Sequence, residues 1–387
     1  MSKNYFVFVV CGAKEHIDTL HFSIEYLKKY SKNDIWVLTD STRNEIRIIH
    51  DKIVDILTPE KFDHHQASIF LKTGIHKFFP KGNHYCYLDT DIIALSENVD
   101  NIFEQYKSPI SFVPDHNRVD QFSPYAVNCG CLDEINSSLN LLNERLNELD
   151  PYRNSNDQEI KFARREWQVK YAEINSSLKS RIFYGLKYLL SRKRFNLSSN
   201  IYCDRKRKLW LTKEGKVFMK QVNFFKLCKE VGLKWSFAKM SPISPNGKKL
   251  WGFKCDHLRM AILKKYSILP TSNFQHWNGG VFLFDDTSHD FLNTWHQSTL
   301  EIFEDPYWKT RDQGTLIKTV WQYGLQDHPT LSKKWNLIAD YHNPFLKWEN
   351  ETVFIGKTES YIPELLHVYH HFNDQSWFFW NQIPKIK

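Results

Sequence analysis

The chain has no uncharged apolar run approaching the ~18 residues that a membrane-spanning helix needs, and its mean hydropathy is −0.51. Spanning helices are therefore not expected. The first apolar run, Tyr5–Val10, is too short for a secretory h-region, and no small-residue cleavage site follows it. It reads as the first strand of a folded domain. A disulfide framework is also missing. Seven cysteines, an odd number, are scattered along the chain, which suits a reducing cytosol. Cys129 and Cys131 form a lone C-x-C. With no second pair at suitable spacing, structural zinc is not expected. After the first strand, Cys11-Gly-Ala-Lys-Glu15 offers one glycine and one lysine. That is poor material for the Gly-rich basic loop of a nucleotidyltransferase. No recognised RNA- or DNA-binding motif is present, so a nucleic-acid partner is not expected.

What is present is globular. The 387 residues are 42% hydrophobic and 25% charged, enough for one large domain or one and a half ordinary ones. Aromatics reach 15%, with 13 tryptophans, which suits a Trp-rich core or contact with sugars or a membrane interface. Charge is concentrated. The chain is +8 overall, yet residues 179–220 carry 13 Lys+Arg against 2 acids. That one segment supplies the whole basic excess and points to an anionic partner.

The first hundred residues alternate short apolar strands with helical spacing. Strands are expected at Tyr5–Val10, Ile35–Thr39, Ile53–Leu57 and Tyr85–Leu88. A helix is expected to carry Ile17, Leu20, Ile24 and Leu27, and another to run from Ile69 to Phe79. This is the pattern of a mainly parallel sheet flanked by helices, an α/β fold. Three segments are expected: residues 1–133, a basic and mostly helical insertion over 134–270, and residues 271–387, where α/β character returns. In the last, Val281–Phe284 and Leu365–Val368 read as strands, Phe291 to Ile302 as a helix, and Asp312 as the start of another.

Ligands of such sheets sit beyond the carboxyl ends of the strands. Asp89-Thr90-Asp91 follows Tyr85–Leu88 at such an end. Two carboxylates there suit Mg²⁺ or Mn²⁺ shared with substrate phosphates. Asn278-Gly279-Gly280 precedes a strand, and paired glycines let backbone approach a ligand. Arg311-Asp312-Gln313-Gly314 opens a helix, where Asp312 is either an N-cap or a carboxylate presented to substrate. A late strand ends in His367, His370 and His371, any of which offers a further metal ligand.

These four motifs, in this order, resemble the GT-A glycosyltransferases, and within them the glycogenin-like family 8 group. The resemblance covers roughly residues 3–130 and 270–387. It implies the GT-A fold and a metal-dependent transfer of sugar from a nucleotide sugar, expected to be a UDP-sugar. The expected acceptor is a glycan or a lipid-linked molecule in surface-polysaccharide synthesis. Retention of configuration is the expected course. Carried over by residue, Asp89 and Asp91 would hold Mn²⁺ or Mg²⁺, with His367 or its rival His371 as the late ligand. Asn278, Gly279, Gly280, Asp312 and Gln313 would face the donor sugar and acceptor. Val10, Cys11, Gly12 and Asp40 would border base and ribose, Thr90 would lie with them at the donor site, and Lys72 or Lys77 would approach the phosphates. The family's Gly and Lys-Pro-Trp after the late histidine are replaced by Phe-Asn-Asp-Gln-Ser-Trp377. Asn128-Cys-Gly130 and Asp157-Gln158 imitate the sugar-site motifs and remain an alternative placement.

The basic segment interleaves Ile182-Phe-Tyr-Gly-Leu-Lys-Tyr-Leu-Leu190 with Arg192-Lys-Arg194 and Arg205-Lys-Arg-Lys208. This suits an anionic membrane surface, so the expected location is cytoplasmic, peripheral on the inner face of the membrane. Two other readings stay open: a nucleotidyltransferase or nucleotide-sugar hydrolase on a similar sheet, and a non-catalytic binding module with a degenerate transferase fold.

Overall fold

The strand Asn4–Val10 explains the architecture around it. Phe6, Phe8 and Val10 pack in one apolar cluster with Ile17, Leu20, Ile24 and Leu27 of the helix Lys14–Tyr30. The alternate residues, Val7 and Val9, join Ala67, Ile69 and Leu71 of the helix His64–Thr73 in another. A strand covered on both faces must be apolar at every position, which is why it reads as a continuous run. The computed structural model describes residues 2–383 apart from 310, 376 and 378.

Asn4–Val10 pairs in parallel with Asp34–Thr39 on one side and His84–Leu88 on the other, and Ile53–Asp55 extends the parallel part. Beyond His84–Leu88 lie two antiparallel strands, Gln275–Phe284 and then Ser111–Arg118. The central sheet is thus six-stranded, mixed and largely parallel, with helices packed on it. The helices His289–Leu300 and Arg311–Gln322 add Phe291, Leu292, Trp295, Leu316 and Val320 to the second cluster.

Some boundaries differ from the sequence expectation, for local reasons. The helix expected from Ile69 starts at His64, because Asp63 and Gln66 form a reciprocal capping box. It stops at Gly74 rather than Phe79. The strand expected at Val281 begins six residues earlier, at Gln275.

The chain divides into two compact units. One comprises residues 1–129, 254–341 and 346–387, and the other residues 130–253 and 342–345. The helix His257–Tyr266, within the expected insertion, belongs to the first unit. In the second, the helices Cys131–Leu149, Gln158–Asn175, Leu178–Leu190 and Phe224–Glu230 are joined by a feature the sequence pattern did not suggest. This is a four-stranded antiparallel sheet from Arg194–Asn196, Ile201–Asp204, Leu209–Thr212 and Val217–Lys220. Its strands of three or four residues are too short to show a period. Phe195, Ile201, Cys203, Trp210 and Phe218 pack them against Ile160 and Ala163. Among the described residues, no helix is long and apolar enough to cross a membrane.

Candidate active site

The parallel strands end on the same edge of the sheet, Val10 level with Thr39 and Leu88 level with Phe8, and a cleft of about 570 Å³ opens beyond them. Its lining includes Asp89, Asp91, Gly280, Asp312 and His367. Three pieces of backbone bring these together. After Asp91 the chain enters the strand Ile92–Ala94, which pairs antiparallel with Leu365–His367, so that His367 lies opposite Ile92. That register alone sets His367 beside the Asp-x-Asp turn. Gln275–Phe284 runs antiparallel with Val281 opposite Leu88, so Asn278–Gly280 project past the end of the parallel strand. Between Asn278 and Phe282 its pairing with Ser111–Arg118 breaks. The Gly280 carbonyl accepts instead from the Asp89 amide at 2.8 Å.

The space beside both glycines is tight. A Cβ on Gly280 would stand 2.8 Å from Asn278 Oδ1, 2.9 Å from His367 Cε1 and 3.1 Å from Asp89 Oδ2. One on Gly279 would stand 3.0 Å from Gln313 Oε1. Gly12 takes φ +103, and a Cβ there would overlap His64 at 2.4–2.8 Å.

Asp89, Asp91 and His367 each present one ligand atom within 4.8 Å of the others. Two carboxylates and an imidazole form a suitable donor set for Mn²⁺ or Mg²⁺. A buried relay orients the imidazole. Asp115 Oδ2 accepts from Asn278 Nδ2 at 2.7 Å, and Asn278 Oδ1 accepts from Asn336 Nδ2 at 2.8 Å. Asn336 must then turn Oδ1 toward His367 Nδ1, 2.9 Å away, which makes Nδ1 the donor. Nε2 is left facing Asp91 Oδ1 at 3.3 Å. This is the outer-shell arrangement that fixes a metal-binding histidine. Burial alone would lower the His367 pKa, but the Asp91 carboxylate prevails and raises it. Burial likewise opposes ionisation of Asp91, and His367 outweighs it, lowering the pKa.

Lys72 bridges Asp89 Oδ1 at 3.1 Å and Asp312 Oδ2 at 3.2 Å. Burial works against its charge, yet the two carboxylates hold it firmly protonated. The Tyr87 hydroxyl donates to Asp89.

The other expected residues fall as follows. Val10, Cys11 and Thr90 line the cleft. Asp40 does not. Its buried carboxylate accepts from Thr42, Thr58 and Arg43 and caps the turn after the second strand. Asn278 and Gln313 spend their amides on the protein. Gln313 receives the Gly279 amide at 3.2 Å and donates to the Trp277 carbonyl at 3.3 Å, bracing the glycine strand. His371 pairs with Asp374 at 2.8 Å and stacks on Tyr341, apart from the three-ligand group. Lys77 is not among the lining residues. Asn128 bonds the Pro306 carbonyl, while Asp157 caps the helix Gln158–Asn175 and pairs with Lys216 at 2.6 Å. The cleft holds Asn278, Asp312 and Gln313 instead. Asp115 and Asn336 were missed by sequence reasoning. Neither lies in a motif, and only the fold brings them to His367.

No family model matches the chain, nor does any curated protein. Among solved structures, it is similar to mouse xyloside xylosyltransferase 1, with 7% identity, a TM-score of 0.38 and coverage of 95% of this chain and 98% of that one. The bifunctional glycosyltransferase WbbM gives 9% identity and a TM-score of 0.35, covering 95% of this chain and 45% of that one. The glycosyltransferase GlyE of Streptococcus pneumoniae TIGR4 gives 17% identity and a TM-score of 0.22 over 30% of each chain. Likenesses at this level carry no argument, and the functional reading rests on the cleft.

Proposed function

We propose that this chain is a metal-dependent glycosyltransferase of GT-A type, related to the family 8 group, that takes sugar from a UDP-sugar. The proposed acceptor is a glycan or lipid-linked molecule in surface-polysaccharide synthesis. The observation that carries the reading is the convergence of Asp89, Asp91 and His367 at the carboxyl end of the parallel strands. A bound Mn²⁺ or Mg²⁺ supplies neutralisation of the charge that develops on the departing nucleoside diphosphate.

The chain's own residues do the rest. Asp89, Asp91 and His367 hold the ion, and the Asn336–Asn278–Asp115 relay keeps the imidazole turned toward it. Lys72 contributes a permanent positive charge for the diphosphate. Gly279 and Gly280 keep the floor free of side chains. The acceptor hydroxyl oxygen bonds to the anomeric carbon on the face from which the diphosphate oxygen departs, and the hydroxyl proton passes to that departing oxygen. Asp312 is the carboxylate assigned to the reacting carbon, and retention is the proposed course.

Membrane contact belongs to the same proposal. The helix Leu178–Leu190 buries no residue of its own. Leu178, Ile182, Phe183, Leu186, Leu189 and Leu190 are between 55% and 81% exposed, beside Lys179, Arg181, Lys187 and the Arg192–Arg194 cluster. An apolar face edged with cations fits an anionic bilayer at the cytoplasmic surface.

The deciding experiment is thermal stability with UDP, with and without Mn²⁺, for wild type and Asp91→Asn. At ~100 times its dissociation constant a ligand adds about 2.7 kcal/mol. The expected result is a rise that needs both UDP and Mn²⁺ and is lost in the variant. No rise with UDP, GDP or CMP would overturn the reading.

A further inference from the structure

The chain leaves the first unit after Cys129 and returns to it at Lys254. Both crossings carry soft metal ligands. The Sγ atoms of Cys129 and Cys255 and a ring nitrogen of His257 lie within 4.8 Å of one another. All three residues belong to the first unit. The sequence pattern is therefore a split one, Cys-Gly-Cys131 with Cys255-Asp-His257, and its second half is the pair that a search for C-x₂-C spacing passes over. Cys131 follows Cys129 through one residue, Gly130, whose φ of +69 favours glycine, so chain connectivity keeps the fourth donor near the other three.

We propose that Cys129, Cys131, Cys255 and His257 form a structural Cys₃His zinc site, separate from the Asp89–Asp91–His367 cleft. The chemistry suits Zn²⁺, which takes four thiolate and imidazole ligands in tetrahedral sites. At zinc's usual bond lengths the ligand atoms stand about 3.4–3.8 Å apart, so closing on the ion requires a contraction of about 1 Å. The backbone that carries the three first-unit donors is already fixed. The Cys255 amide donates to the Asp120 carbonyl at 3.1 Å. Ser123 Oγ lies 3.2 Å from Cys255 Sγ and accepts the Leu258 amide at 2.9 Å. The helix that begins at His257 packs Leu258, Ala261 and Ile262 against Val119, Ala126 and Val127. Within the second unit, the Lys248 ammonium is 3.8 Å from Cys131 Sγ and pairs with Glu134 at 2.5 Å. None of the seven cysteines is in a disulfide.

The test is elemental analysis of the full chain purified without metal-affinity chromatography, together with the visible spectrum of the Co²⁺-substituted protein. The expected results are one zinc per chain and the intense ligand-field and thiolate charge-transfer bands of tetrahedral cobalt. Cys129→Ser/Cys255→Ser should lose both. Cys203→Ser and Asp91→Asn should keep both, which separates this site from the cleft. Zinc-free protein that gives no thiolate–cobalt bands would overturn the proposal. So would a Cys129–Cys255 disulfide found in place of metal. The wild-type cobalt spectrum decides the matter even if the double variant fails to fold.

Discussion

Replacing Asn336 by alanine tests the site through a residue that touches neither metal nor sugar. Asn336 is 2% exposed and makes two hydrogen bonds inside the relay. The truncation removes the acceptor of His367 Nδ1–H and the donor to Asn278 Oδ1. Asn278 Oδ1 keeps the Gly280 amide at 2.8 Å, so the glycine strand stays anchored. His367 has no such substitute. Its Nδ1–H is left without the partner that fixed the tautomer, at a cost of about 1–3 kcal/mol for an unsatisfied buried donor. The ring can then relieve itself by moving its proton to Nε2, which removes the lone pair the ion needs. Loss of an outer-shell partner lowers metal affinity by about 10–100-fold, or about 1.4–2.8 kcal/mol. The assay is a Mn²⁺ titration of UDP-sugar turnover. The Mn²⁺ concentration giving half-maximal rate should rise by that factor, and the rate at saturating Mn²⁺ should recover most of its wild-type value. A variant that folds, with an unchanged Mn²⁺ requirement, would refute the relay.

Gly280→Ala places a Cβ within 3.1 Å of Asn278, His367 and Asp89 together, so it should abolish the Mn²⁺-dependent stabilisation by UDP in a thermal-shift assay. Lys72→Met removes the only cation bridging Asp89 and Asp312 among the described residues, and should raise KM for the donor more than it lowers stability, as steady-state kinetics and melting would show. Phe183→Glu with Leu186→Glu should release the protein from phosphatidylserine vesicles in a sedimentation assay while sparing turnover of a soluble acceptor. Acid sensitivity should begin early. Burial holds His296 at about 3 and His76 at about 4, against 6.5 when exposed, so below pH 6.5 the unfolded chain binds protons that the folded chain refuses. Stability should fall by up to about 1.4 kcal/mol per pH unit for each histidine between pH 6 and 4, and His296→Gln should flatten the denaturant-derived slope by one such share.

Much of the sheet was legible because its strands are covered on both faces, which writes them as apolar runs. The Asp-x-Asp turn was legible because it interrupts such a run abruptly. Residues whose position depends on register were harder to read. His367 and its rival His371 both stood as late ligands in the sequence, and the pairing of Leu365–His367 with Ile92–Ala94 sets His367 beside the Asp-x-Asp turn. Asn278 and Gln313 sit in recognisable motifs and line the cleft, yet their amides are engaged by Asp115 and by the glycine strand. Asp40 shows the same limit. An aspartate at a strand's carboxyl end looked like a ribose ligand, and its carboxylate is consumed by Thr42, Thr58 and Arg43.

The charges of the cleft argue for the order in which ligands enter it. Four carboxylates, Asp89, Asp91, Asp115 and Asp312, share the site and its outer shell with one ammonium, Lys72, and with His367. Burial and His276 act in opposite directions on Asp115, and the histidines prevail, holding it well below the usual carboxylate range. Lys72 is already shared between two of the acids. A bare nucleoside diphosphate would therefore bring more negative charge into a cleft that is negative without it. A divalent cation reverses that balance first, which makes metal and diphosphate mutually dependent ligands. Linkage fixes the consequence: whatever factor Mn²⁺ adds to UDP affinity, UDP must add to Mn²⁺ affinity. Calorimetric titrations run in both orders should return the same coupling, and Asp312→Asn, by removing one of the acids that occupies Lys72, should raise the affinity for metal-free UDP. If UDP binds as tightly without metal as with it, the carboxylates do not set the charge of the donor site.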